Sequence, residues 1–169
     1  MEWRGLEIHP ELPPEGIARE VYFGGRSRGA GESVQRLAAQ AGLEMLLPAV
    51  IANSHAALEV AELARERGVF SSFHRRLFQA YFQEGLNIGE SRVLAAVGEA
   101  VGLEPSEVLA CLADHRYHDR MVQAQWEAQE LLISGVPTFL IAGQRVVGAQ
   151  PYAVLSVAVE LAGARPRQP

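Results

Sequence analysis

Ser134-Gly135-Val136-Pro137-Thr138-Phe139-Leu140-Ile141 joins two small residues to a Val-Pro step and then to a run of β-branched and aromatic residues. Proline at the first residue of a strand costs no ladder hydrogen bond, so the run predicts a strand from Thr138 to Ala142. A turn at Gly143-Gln144, a second short strand from Arg145 to Val147 and a helix from Pro151 to Ala162 follow. Pro151 suits the opening of that helix, because its fixed φ is already helical and it has no N-H to leave unpaired. The tail from Ala164 to Pro169 is expected to fray.

Upstream of this loop, from Pro14 to Ser134, the apolar residues recur at helical spacing, punctuated at Gly24-Gly25, Gly42, Pro48, Gly68, Gly85, Gly89 and Gly102. Asn53-Ser54 is placed to cap a helix closed by Gly68. Val69 to Glu84 sets Phe70, Phe73, Leu77, Phe78, Tyr81 and Phe82 three and four residues apart, a stripe expected to pack into the core. Helices also start at Gly89-Glu90-Ser91 and Glu104-Pro105, and another runs from Tyr117 to Leu132 into the Val-Pro loop. Ahead of the helical block, Trp3, Leu6 and Ile8 among Glu2, Arg4 and Glu7 predict a strand from Met1 to His9, ended by prolines. The order is strand, helical block, Val-Pro loop, hairpin and helix: an α/β chain with a large helical insertion.

The 169 residues carry a net charge of -5, and the 15 basic residues, all arginine, are dispersed with no single stripe. Nucleic acid is therefore not an expected partner. The N-terminus has no signal-peptide pattern and no run approaches membrane-spanning length, so the expectation is no membrane partner and a cytoplasmic location. The one cysteine, Cys111, sits in the apolar helical run Val108 to Leu112 and reads as a small core hydrophobe. His115 and His118, three apart beside Asp114 and Asp119, have a chelating spacing, but the sequence shows no third or fourth ligand, so no metal residue is assigned. Phosphate-loop, nucleophile-elbow and His-Glu-x-x-His patterns are missing.

Taken together, several stretches resemble the DsbA-like thioredoxin superfamily, in its FrnE-like branch beside the 2-hydroxychromene-2-carboxylate isomerases and kappa-class glutathione transferases. They are Glu2-Trp3-Arg4, Leu12 to Gly16, Asn53-Ser54, Ala64 to Gly68, Tyr81 to Gly89, Gly135 to Phe139 and Gly148 to Pro151. The resemblance implies a thioredoxin-like fold, with residues 1–12 and 133–163 as a discontinuous core, 13–132 as a helical insertion and 164–169 as a tail. It implies a cis bond at Val136-Pro137, whose backbone would meet an extended peptide or glutathione. It also places Gly148, Ala149 and Gln150 at a corner that receives glutathione in relatives, and Asn53 and Ser54 at the active-site mouth.

Family members begin with a strand and a Cys-x-x-Cys turn opening a helix, and nothing in this sequence matches that segment. No catalytic residue is therefore assigned, and the resemblance implies an N-terminal truncation that removes the central strand. A start further upstream, direct closure of the flanking strands, or a strand lent by another chain would each repair the sheet. The expected function is that of a thiol-disulfide oxidoreductase-like protein, inactive as given. The alternatives are a glutathione-dependent isomerase or transferase and a non-catalytic thioredoxin-fold binding module. No cofactor is expected beyond glutathione as a co-substrate; the expected partners are a thiol or disulfide peptide, glutathione, or a second copy joined through sheet edges.

Overall fold

A computed structural model describes residues 2–24 and 28–165. The chain divides into two compact units, Met1–Gln123 and Ala124–Pro169. The first holds the core. Its elements are β1 (Ile17–Ala18), α1 (Arg19–Phe23), α2 (Arg28–Gln40), β2 (Val50–Ile51), α3 (His55–Glu66), α4 (Phe70–Phe82), α5 (Ser91–Glu99) and α6 (Pro105–Ala113), followed by the start of α7 (His118–Glu130).

Helix α3 is the centre of this unit. It buries Ala57, Val60, Ala61 and Ala64 at spacings of three and four, with Leu63 alongside, so one continuous stripe leaves water. Phe73, Leu77 and Ala80 of α4, Leu94, Ala95 and Val97 of α5, and Val108 and Cys111 of α6 close over it. The aromatic stripe expected along α4 is buried only in part: Phe73 and Leu77 are core, whereas Phe78 is 52% exposed and meets the rings of His74 and Phe82. A 13-residue helix has one face to bury, and Phe78 follows Leu77 round to the other side.

Two further features of this unit depart from the sequence reading. Glu2 to Ile8 forms no ladder, and Met1 lies outside the described residues. Spacings of three and then two between Trp3, Leu6 and Ile8 do not keep one face of a strand; instead the segment is tied to α3. Arg65 donates to the Trp3 carbonyl at 2.8 Å, and Leu58 lies where a side chain on Gly5 would stand. Within the supposedly all-helical block, Ile17–Ala18 and Val50–Ile51 pair antiparallel, Ile17 opposite Ile51. Four residues make too short a pattern for a period to register.

The second unit contains the rest of α7, β3 (Thr138–Ile141), β4 (Gln144–Val147) and α8 (Tyr152–Leu161). β3 and β4 pair antiparallel, Thr138 opposite Val147 and Ile141 opposite Gln144. The turn is therefore Ala142-Gly143, one residue earlier than the sequence suggested. Both residues have positive φ, 47° and 82°, the backbone of a type I′ turn that matches the twist of the strands it joins. Arg145 donates to the Leu131 and Leu132 carbonyls, closing the C-terminal end of α7.

Candidate functional site

The Val-Pro loop is built by its own hairpin. Gly148 N-H donates to the Pro137 carbonyl at 2.7 Å, which ties the entry of β3 to the exit of β4. Thr138 Oγ1 donates to the Gly135 carbonyl at 2.6 Å and folds the approach back on itself. The Val136-Pro137 peptide is cis. Val136 is 49% exposed, and among the described residues its main-chain N-H and C=O carry no hydrogen bond.

The Gly148-Ala149-Gln150 corner adjoins this loop through the same Gly148 bond. Gly148 takes a φ of 88° and Gln150 Nε2 donates back to the Val147 carbonyl at 2.8 Å. Gln150 is thus spent on its own strand, while Pro151 caps α8 with no side-chain bond to the first amides of the helix. Val136, Pro137, Gly148, Ala149 and Gln150 accordingly form one local group in the second unit.

Asn53 and Ser54 belong to the first unit, at the start of α3. Asn53 Nδ2 donates to the Leu12 carbonyl at 2.7 Å and its Oδ1 accepts the His55 N-H at 2.8 Å. The capping thus comes from Asn53, because the N-cap residue Ser54 makes no side-chain cap bond. Around Asn53 the stretches Leu12 to Gly16 and Tyr81 to Gly89 converge. Asn87 donates to the Glu15 carbonyl at 3.0 Å, and Tyr81 OH donates to the Val50 carbonyl at 3.0 Å. Gly89 comes so close that an added Cβ would stand 2.7 Å from the Pro14 carbonyl oxygen and 3.3 Å from that of Asn53. Separate sequence motifs prove to be the parts of one clamp.

Cys111 is fully buried in α6, and burial pushes its thiol up to about 11. A thiol is nucleophilic as its thiolate, so Cys111 is inert at neutral pH. Sequence reasoning missed a second polar centre in the first unit. His55 and His118 have ring centroids 5.4 Å apart, beside the buried carboxyl of Glu59. Its local signals were the i, i+4 relation of His55 to Glu59 and the spacing of His115 and His118, and neither pointed to the other.

A cis Val-Pro loop followed by a hairpin and a helix, with a helical unit earlier in the chain, is the element order of a thioredoxin-like protein. The chain belongs to the DSBA-like thioredoxin domain family, which matches residues 1–160. It is similar to a Bacillus subtilis (strain 168) protein, "Uncharacterized protein YwbO", at 31% identity over 156 residues, covering 88% of this chain and 75% of the relative. Its fold is similar to the crystal structure of a probable DsbA oxidoreductase from Streptomyces coelicolor, with a TM-score of 0.86 and 23% identity over 98% of this chain and 76% of that one. None of the described helices is long and apolar enough to cross a membrane.

Proposed function

We propose that these 169 residues form the peptide-docking part of a thiol-disulfide oxidoreductase-like protein, and that the exchanging thiol is not among them. The open main chain of Val136 carries this reading. An extended substrate segment can pair with it as an added strand, leaving side-chain identity largely free, as a protein acting on many disulfide peptides requires. β3 and β4 pair only with each other among the described residues, so each also keeps an unpaired edge that would take a peptide or a second copy. The inertness of Cys111 supports the second half of the proposal: exchange needs a thiolate to attack a disulfide sulfur, and this thiol is buried and protonated. The stretches at 12–16, 53–54 and 81–89 support a place in the FrnE-like branch, and a single buried cysteine suits a reducing, cytoplasmic compartment.

The test is paired. Residues 1–169 are expected not to reduce insulin disulfides above the background of the added reductant. An unstructured peptide titrated into labelled protein is expected to shift the Val136 amide. Insulin reduction by this chain that disappears in Cys111→Ser would overturn the assignment of the thiol; peptide binding that leaves the Val136 amide unmoved would overturn the docking site.

A further inference from the structure

Along α4 the rings of Phe70, His74, Phe78 and Phe82 stand four residues apart and touch in series, with centroid separations of 5.5, 4.7 and 5.6 Å. A spacing of four sets side chains one above another on one side of a helix. Trp3 widens the row at His74, its ring 5.3 Å away, and Leu46, whose N-H donates to the Phe82 carbonyl at 2.6 Å, continues it past the end of the helix. Trp3 is 43% exposed, Leu46 51% and Phe78 52%. Burial holds the His74 ring below the ordinary imidazole range, so the row carries no charge of its own at neutral pH. Two exposed charges border it without an ion pair among the described residues: Arg75, next to His74, and Glu44, whose carbonyl accepts from Gln83 Nε2 at 3.4 Å beside the C-terminal end of α4. The other charges at the border are engaged, Arg65 with Glu62 and Arg76 with Glu84.

We propose that this face docks a second copy of the chain, α4 lying across α4 of the other copy about a two-fold axis near Phe78. A two-fold contact needs a surface complementary to itself. The row is an i±4n ridge, and two such ridges interlock when their helices cross at about −50°. With Phe78 set against Phe78 and the helices running in opposite senses, Phe82 and Leu46 of one copy reach His74 and Trp3 of the other. The same symmetry brings Arg75 to the Gln83-Glu44 end of the other copy, twice over, and so supplies the opposite charges that Arg75 and Glu44 lack in the single chain. An aromatic centre with charges confined to the rim is the anatomy of a protein interface. One helix face with two neighbours is a small patch beside the roughly 800 Å2 that each partner buries in a standard interface, so the dimer is expected to be weak, with a micromolar Kd.

The proposal does not rest on the peptide-docking reading. Untagged protein is followed by sedimentation equilibrium between about 5 and 200 μM, a span that brackets a micromolar Kd. A monomer-dimer equilibrium is expected, and Phe78→Asp should abolish it. Phe78 is half exposed, so that variant is expected to keep the wild-type melting curve in dilute solution, which separates docking from folding. Arg75→Glu and Glu44→Arg change exposed side chains alone. Each should weaken the dimer about three- to tenfold, and the two together should restore it, because repulsion at the rim becomes attraction again. Leu140→Lys, on β3, should leave the dimer intact. A monomer across the whole range, a dimer unmoved by Phe78→Asp, a charge-swapped pair no tighter than either single variant, or a dimer abolished by Leu140→Lys would each overturn the docking face.

Discussion

At the scale of single residues, Cys111 and Tyr117 make the fold sensitive to alkali. Burial raises the Cys111 thiol from 9.0 to about 11. Burial first, and then its hydrogen bond to Glu66, raises the Tyr117 hydroxyl from 10.0 to about 12. Both groups are neutral in the fold and ionise sooner once the chain unfolds. Their contribution is therefore complete below pH 9 and is lost as pH rises through about 9–11 for Cys111 and 10–12 for Tyr117. Thermal melts should show a falling midpoint above pH 9, and Cys111→Ala should remove the lower part of that slope. A profile that is flat to pH 11 would contradict the assignment. The burial of Cys111 was legible in its apolar neighbours at Val108 and Leu112. The double role of Asn53 was not, because its acceptor on Leu12 lies 41 residues away.

At the scale of elements, helices with clear punctuation were readable. Glu104-Pro105 opens α6, Glu90-Ser91 opens α5, and Pro151 precedes α8. Cap residues and a 3.6-residue period are local properties, visible within one or two turns. The hairpin shows where such reading slips. Gly143 marked the turn, but the other positive-φ position belongs to Ala142, a residue type that gives no turn signal. An alanine there bears a steric cost of about 1–2 kcal/mol. Ala142→Gly and Ala142→Asn should therefore each stabilise the hairpin, by about 1 kcal/mol for glycine. Slower amide exchange across the Leu140-Arg145 pair would show it, and faster exchange there would argue against the I′ turn.

For the whole molecule, burial is uneven. The core cluster draws on α3, α4, α5 and α6, whereas Ala128 is the only buried apolar residue described in 124–165. Apolar burial at about 25 cal/mol per Å2 is the main force holding a fold together, and local opening follows where it is thin. Amides of α3 and α4 are expected to exchange only at the global limit, and those of β3, β4 and α8 by local opening with much weaker denaturant dependence. Uniform protection across both units would contradict this division.

The sequence by itself determined the punctuated helices from α3 onward, the Val-Pro loop and the presence of a hairpin after it, the buried thiol and the family, because each depends on residues close together in the chain or on a run of motifs in order. Only the tertiary structure decided that Glu2 to Ile8 lies along α3 without a ladder, that three distant motifs close on Asn53, and that His55 and Glu59 stand beside His115 and His118. Those partners stand 63 residues apart from His55 to His118. A periodicity reports which face of a helix is apolar, but the side chain brought against its polar edge is fixed by how the helices pack.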